Sequence, residues 1–288
     1  MDLPQEIIDE VIDNLAFDFR TLKSTSLVRK SWTHRSRRRL FHFVPINSLS
    51  RLEKWSQSIS PDPNGIASYA RVILLEPLDT PRSWIEPENL DKFSEHFRSF
   101  SRVERLIITG LETAKFDATS TPRYFGNLAA TVRSLELRAA VGPPVSILSF
   151  ISSFPLVDDL DIQLPICVPA DGESQGEDIQ PTVNPSFKGK FRLLDSFHES
   201  YPLVELLCTL RLSFHTIWVS SRSAGRLPQL AKLTSKCGKT LRSLHITRRT
   251  HGECSIRRSI DILSVAQDYN SSRVVDTHRR FPEFMHSP

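Results

Sequence analysis

The sequence predicts an α+β fold, in which a small module of three short helices is followed by an α/β solenoid of alternating helices and strands. Helical periodicity and capping signals fill the first 45 residues. Strand-like triplets then recur at intervals of 24 to 33 residues, each preceded by an amphipathic helical stretch. We therefore divide the chain into a module over 1–45, a repetitive domain over 46–253, and a C-terminal cap or tail over 254–288.

The N-terminal helical module begins at Pro4, a residue suited to the first position of a helix. Asp18 is placed to cap a second helix that includes Leu22, and a third helix is predicted over 30–41. Five aliphatic residues share one face of the first helix: Ile7, Ile8, Val11, Ile12 and Leu15. Three helices this short form only a small core, so the module is expected to need a partner. Pro45 is expected to close it.

The repetitive domain contains seven candidate strands. They are Val72–Leu75, Leu106–Ile108, Leu135–Leu137, Leu160–Ile162, Leu193–Leu194, Ile217–Val219 and Leu244–Ile246. A period near this length is typical of leucine-rich repeats, which run about 20–29 residues. Leu210–Phe214 is an alternative to the sixth strand, and a non-repetitive α/β domain is the alternative to the solenoid.

Helices are predicted between these strands wherever apolar residues share one face. Examples are 49–59, 90–100 and 227–237. Segment 169–185 has acidic residues, no basic residue and no apolar periodicity, which predicts a flexible acidic insertion. Segment 255–267 is expected to form one more helix or a cap, followed by a partly disordered tail.

Three stretches of the N-terminal module together carry a family resemblance: LPQEIIDEVIDNL (3–15), TLKSTSLVRKSW (21–32) and RSRRRLFHFV (35–44). In this order they resemble the F-box family, and more narrowly the fungal proteins that join an F-box-like module to irregular leucine-rich repeats. The resemblance implies a substrate-recognition subunit of a Skp–cullin–F-box ubiquitin ligase, which is not itself an enzyme. Its implied partners are a Skp-type adaptor, cullin through that adaptor, and an unidentified target protein.

The same resemblance implies which apolar residues of the module contact the adaptor. They are Leu3, Pro4, Ile7, Ile8, Ile12, Leu22, Leu27, Val28 and Trp32. The module departs from the family pattern at Arg29, where a cysteine is often found. If that position were buried, an arginine there would be costly.

The face of the repeats formed by strand side chains is the predicted site for the target, because alternate strand residues point away from the core. This rule selects Arg105, Ile107, Ser134, Glu136, Asp159, Asp161, Ser243 and His245.

Other functions are weighed against this one. Six basic residues between Arg29 and Arg39 suggest nucleic-acid binding, a solvated helix face or contact with an acidic adaptor surface, and we favour the solvated face. A scaffold acting outside ubiquitin ligases is the second hypothesis. No catalytic, cofactor or metal motif occurs, and the net charge is only +4. Without an export signal or membrane span, we expect a cytoplasmic or nuclear protein with reduced cysteines.

Overall fold

The computed structural model describes residues 4–15, 18–58, 65–77, 84–116, 120–167, 186–194, 201–221, 227–248 and 256–261. It confirms a fold of mixed helix and strand, with helices first and a largely parallel sheet after them. No helix in these ranges is long and apolar enough to cross a membrane. The predicted acidic insertion, 169–185, lies outside the described residues, as does most of the C-terminal segment.

Three short helices open the chain: α1 (Gln5–Asn14), α2 (Phe19–Val28) and α3 (Lys30–Leu40). The Asp18 side chain accepts a hydrogen bond from the Thr21 amide at 3.0 Å, which confirms it as the cap of α2. Pro4 is the residue before α1 rather than its first helical residue. The small core of this module consists of Ile8, Ile12 and Leu22, with Leu15, Trp32 and Leu40 packed against them.

Eleven strands follow within the described residues. They are β1 (Phe43–Ile46), β2 (Val72–Leu75), β3 (Arg105–Thr109), β4 (Ser134–Arg138), β5 (Val141–Gly142), β6 (Asp159–Gln163), β7 (Ile166–Cys167), β8 (Ser186–Leu194), β9 (Arg211–Ser221), β10 (Ser243–Arg248) and β11 (Ile256–Asp261). All but β5 and β7, which pair with each other, form one sheet in the order β1-β2-β3-β4-β6-β8-β9-β10-β11. Neighbours in the sheet are parallel except β10 and β11.

All seven predicted strands are confirmed. The two alternatives for the sixth belong to one strand, because β9 contains Ile217–Val219 and all of Leu210–Phe214 except Leu210. The sequence did not predict β1, which contains Pro45 and therefore begins the sheet where the module was expected to close. A proline is tolerated there because β1 is an edge strand. Ile256–Asp261 form a strand at the opposite edge, where a helix or a cap was expected.

Helices lie between most successive strands of the sheet. They are α4 (Leu49–Ser58), α5 (Pro87–Arg98), α6 (Ser120–Phe125), α7 (Asn127–Thr131), α8 (Pro144–Ser152), α9 (Tyr201–Leu207) and α10 (Leu227–Lys236). Their apolar faces share one continuous core with the inward side chains of the strands. Phe97, Phe125 and Phe150 from three of these helices belong to that core together with the strand residues Leu106 and Leu135. The helices therefore cover the apolar face of the sheet and leave polar side chains on the other face.

The same turn follows three consecutive strands of the main sheet. Gly110, Ala139 and Leu164 each adopt a positive φ, of 67°, 48° and 51°. Each of these three amides donates to the last carbonyl of the next strand, at 2.7–2.8 Å. Successive strands thus end in one repeated backbone arrangement. At two of the three positions, Ala139 and Leu164, a residue with a Cβ adopts a conformation that favours glycine.

The helical module is packed onto the first strands of the sheet. The amides of Arg71 and Val72 both donate to the His42 carbonyl at 3.0 Å. The rings of His34 and Tyr69 meet edge to face with 5.4 Å between their centroids. Module and sheet are therefore joined through α3, the start of β1 and the segment before β2.

Candidate protein-interaction surfaces

An apolar surface lies on the outside of α1 and α2. Nine large apolar side chains are exposed in the described part of the chain, and five of them belong to these two helices. They are Ile7, Val11, Phe19, Leu27 and Val28, with Leu27 82% exposed. With the exposed Pro4 we call this set the apolar ridge. Such a concentration on a small helical module is typical of a protein-interaction site.

The structure divides the predicted adaptor-contact residues into two groups. Pro4, Ile7, Leu27 and Val28 belong to the apolar ridge, and Leu3 lies outside the described residues. Ile8, Ile12 and Leu22 are corrected to core residues, because they are 7%, 1% and 0% exposed. Ile8 and Ile12 are four residues apart and share the inner face of α1, where they form one core cluster with Leu22 of α2.

Trp32 is also chiefly a core residue, since it packs against the core of the module and its Nε1 is buried with no hydrogen-bond partner in the described residues. The sequence-based prediction missed Val11 and Phe19. The signal for Val11 was its spacing of four from Ile7, which places both on the same outer face. Arg29 lies at the exposed junction between α2 and α3, so the expected burial cost does not arise.

Ion pairs join α1 to the basic helix α3. Arg39 Nε lies 2.8 Å from Asp13 Oδ1, and Arg35 Nη1 lies 3.2 Å from Asp9 Oδ2. Hydrogen bonds from Arg39 and Arg35 hold the pKa of Asp13 well below its usual range. Two of the six basic residues therefore serve the module's own structure, which weakens the nucleic-acid interpretation.

The predicted target-binding residues lie together on the polar face of the sheet. The strand register places them in two neighbouring rows that run across the strands. One row is Arg105, Ser134, Asp159, Lys190, Thr216 and Ser243. The next row is Ile107, Glu136, Asp161, Arg192, Trp218 and His245. The structure therefore brings all eight predicted residues onto one face of the sheet.

Lys190, Arg192, Thr216 and Trp218 complete these rows and were missed. The sequence reading placed β8 only at Leu193–Leu194 and took no outward residues from β9. The signal that would have found them was the alternation of Lys188, Lys190 and Arg192 around Gly189 and Phe191, and the position of Thr216 and Trp218 on either side of the apolar Ile217.

Three of the predicted residues are buried rather than presented to a partner. Ile107, Glu136 and Asp161 are 6%, 2% and 8% exposed. Arg105 and Arg192 of adjacent strands bond Glu136 and Asp161, and all three buried residues are corrected from contact residues to supports for the polar surface.

Glu136 is the centre of a charged network on this face. It accepts hydrogen bonds from Arg105 Nη2 and Arg138 Nε, both at 2.6 Å, and from Gln163 Nε2 at 2.8 Å. Burial alone would raise the pKa of Glu136, but the hydrogen bonds and charges of Arg105 and Arg138 outweigh it and lower this pKa. The glutamate is thus held as a carboxylate that fixes two arginines.

Asp161, on the adjacent strand, has fewer hydrogen bonds to offset the burial of its carboxylate. It accepts hydrogen bonds from Gln163 at 3.1 Å and Arg192 at 3.2 Å, while its Oδ1 is buried with no partner in the described residues. Burial raises the pKa of Asp161, and the Gln163 and Arg192 contacts only partly oppose this. The pKa values of the neighbouring carboxyl groups of Glu136 and Asp161 are thus shifted in opposite directions.

Three side chains stack across β8, β9 and β10. The Arg192 guanidinium lies 4.7 Å from the centre of the Trp218 ring, and Trp218 lies 4.9 Å from the His245 ring at an angle of 32°. The Ser243 hydroxyl lies 2.7 Å from His245 Nε2. The stack holds the Arg192 side chain between an ion pair and an aromatic surface.

A cavity of about 400 Å³ opens over these rows. Its lining includes the charged residues Arg105, Asp159, Asp161, Lys190 and Arg192, and its aromatic wall is formed by Trp218 and His245. A second cavity, of about 470 Å³, adjoins it and shares Arg105, Asp159 and Lys190. The molecule therefore presents two separate candidate surfaces, one apolar and one polar.

Comparison with known proteins does not assign a function to these surfaces. No protein-family model matches the chain, and no significant match to a curated protein was found.

Proposed function

We propose that this chain is a non-catalytic substrate-recognition subunit of a Skp–cullin–F-box ubiquitin ligase, acting in the cytosol or nucleus. In this proposal the three N-terminal helices are an F-box-like module that binds the Skp-type adaptor. The sheet and its helices are an irregular leucine-rich-repeat-like solenoid that holds a target protein. The chain contributes position rather than chemistry, by raising the local concentration of the target at the ligase.

The apolar ridge is the observation that carries the proposal. Its members are well exposed, whereas the residues one position away, such as Ile8 and Ile12, already fill the module's core. The ridge residues are therefore exposed apolar side chains in addition to the core of a module of only three short helices. An adaptor that covers this face would supply apolar burial that the module cannot provide alone.

The regular order of the strands supports the proposed solenoid. From β1 to β10, successive members of the main sheet run parallel in chain order, and three of them end in the same turn. A repeated unit that stacks only on its neighbours produces this arrangement.

Co-expression of the whole chain with a Skp-type adaptor tests the proposal. We expect the two proteins to purify as a complex that also recruits cullin. Failure of the intact, folded chain to retain the adaptor would remove the proposed function. Retention of the adaptor without cullin would instead favour the scaffold that acts outside ubiquitin ligases.

A further inference from the structure

The polar cavity over β3, β4, β6, β8, β9 and β10 carries an excess of positive charge. Three cations, Arg105, Lys190 and Arg192, line it together with two carboxylates, Asp159 and Asp161. The lining therefore has a formal charge of +1. Glu136, the nearest further carboxylate, is 2% exposed and already engaged by Arg105 and Arg138.

The Lys190 ammonium is the cation of this cavity that no carboxylate of the described residues engages. It is exposed, and within the described ranges it forms no ion pair or side-chain hydrogen bond. Asp159, its neighbour across the strands, instead accepts a hydrogen bond from Ser134 at 3.3 Å. A ligand that carries one negative charge would complete the charge balance of the cavity.

Both arginines of the cavity retain free donors. Arg105 and Arg192 each engage one carboxylate through a single terminal nitrogen, Nη2 and Nη1 respectively. A guanidinium has five N–H donors in a planar fork, so each keeps others that can reach an incoming carboxylate. The Trp218 and His245 stack fixes the Arg192 fork before a ligand arrives, which lowers the entropic cost of binding.

We propose that this cavity binds the carboxylate of an Asp or Glu side chain in an acidic segment of a partner protein. Lys190, Arg105 and Arg192 are the binding residues, and Trp218 is a positioning residue that acts through Arg192. The inference rests on the proposed function, because it names the chemistry of the target that the polar face would hold.

A single carboxylate suits the cavity better than a phosphate group does. A phosphorylated side chain carries a charge of about −1.5 to −2 at pH 7. That charge exceeds the +1 of the lining, and the excess would lie beside Asp159 and Asp161 in a partly desolvated site. Repulsion between such like charges is costly where the effective dielectric constant is low.

Fluorescence anisotropy of labelled peptides on the purified whole chain tests this proposal. The probes are a ten-residue peptide of alternating Glu and Ser, a second with Gln in place of Glu, and a third with phosphoserine and Gln. We expect the Glu peptide to bind at least about tenfold more tightly than the Gln peptide at low salt, and to weaken as salt rises.

Two exposed lysines of β8 provide a matched pair of variants. Lys190→Gln is expected to weaken binding of the Glu peptide about fivefold, by removing one close charge. Lys188→Gln makes the same change of net charge two residues away but outside the cavity lining, and should change binding by less than about twofold. Circular dichroism of both variants checks that the fold is retained.

Trp218 variants test the positioning role. Trp218→Phe preserves an aromatic surface under Arg192 and is expected to retain binding, whereas Trp218→Leu is expected to weaken it. Equal loss in both, with unchanged thermal stability, would contradict the role assigned to the stack.

The proposal as a whole is overturned by equal binding of the Glu and Gln peptides, by equal effects of Lys188→Gln and Lys190→Gln, or by tightest binding of the phosphoserine peptide. None of these measurements involves the adaptor. A chain that fails here but binds the adaptor keeps its proposed function and loses only this target chemistry.

Discussion

At the residue scale, Glu136 and Asp161 occupy paired positions on adjacent strands, yet their surroundings shift their pKa values in opposite directions. Two arginines outweigh burial at Glu136, so its pKa is lowered and its charged form stabilises the fold. Burial outweighs one arginine and one amide at Asp161, so its pKa is raised and its charged form costs stability.

These shifts predict opposite effects of neutral isosteres at pH 7. Glu136→Gln should lower the free energy of unfolding by about 1–2 kcal/mol, because it weakens charge-assisted bonds to two arginines. Asp161→Asn should leave this free energy unchanged or raise it, because a desolvated charge is removed. Thermal and urea unfolding of the two variants measure the contrast.

The pH dependence follows from the same signs. The contribution of Glu136 is present above its ordinary pKa of about 4.3 and is lost as the pH falls through its lower folded value. The cost of charging Asp161 is relieved as the pH falls through its raised folded pKa. A larger loss of stability in Asp161→Asn than in Glu136→Gln at pH 7 would contradict this account.

The positions of some single residues could not be predicted from the sequence. Ile7 and Ile8 are adjacent and equally apolar, but one lies on the ridge and the other fills the core. The prediction that the aliphatic residues of α1 share one face was wrong, because Ile7 and Val11 lie outside while Ile8 and Ile12 pack in the core. Periodicity alone does not identify which side of an apolar helix meets its neighbours. Lys190 was missed for another reason, because a strand was predicted there only at Leu193–Leu194, whereas β8 begins at Ser186.

At the scale of elements, the turn shared by β3, β4 and β6 provides a test of backbone strain. Ala139 holds a φ of 48° that glycine adopts more easily, and its amide donates to the Gln163 carbonyl at 2.7 Å. Ala139→Gly should therefore raise the free energy of unfolding by about 0.5–1 kcal/mol, because the left-handed conformation costs an L-residue about 1–2 kcal/mol.

Ala130→Gly is the matched control for this turn. Ala130 is an exposed residue of the helix α7, where glycine costs about 1 kcal/mol relative to alanine. Urea unfolding should therefore place the two variants on opposite sides of the wild-type protein. Equal destabilisation by both would show that the turn stores no strain of this kind.

The contact between α1 and α3 supports a second prediction at this scale. Asp13→Asn should lower the protection of α1 amides against hydrogen exchange by about 1 kcal/mol at pH 7, because Arg35 and Arg39 lose their shared carboxylate. Since the pKa of Asp13 is lowered in the fold, this contribution is present above about pH 4 and declines as the pH falls further.

Glu10→Gln removes an exposed charge from the same helix without touching this ion pair, and should leave the protection of α1 unchanged. If both variants lower the protection equally, net charge rather than the Asp13 contacts would explain the effect.

The helices and strands that the sequence predicted best were those with strong apolar periodicity. The three opening helices and seven strands were predicted because apolar spacing and the Asp18 cap determine them locally. The strand β1 was missed because Pro45 is a poor strand residue, and only its edge position makes it tolerable. The strand β11 depends on pairing with β10, which is information that no local pattern carries.

At the scale of the whole molecule, the chain presents an apolar ridge on its N-terminal helices and a polar face on its sheet. The α3 helix and the first strands join the two parts through the His42 carbonyl and the His34–Tyr69 contact. A molecule with two chemically different surfaces on one connected framework is suited to binding two partners at once. That architecture is what the proposed ligase subunit requires.

The most direct test of this account is isothermal titration calorimetry of the whole chain with a Skp-type adaptor, using two matched variants. Leu27→Glu places a charge on the most exposed member of the ridge, and Leu156→Glu makes the same change at an exposed leucine that follows α8. We predict that the wild-type chain binds the adaptor and that Leu156→Glu binds it with the same affinity. Leu27→Glu should weaken binding at least about tenfold, which corresponds to about 1.4 kcal/mol. Equal affinities for Leu27→Glu and wild type, or no heat of binding from the folded wild-type chain, would contradict the account.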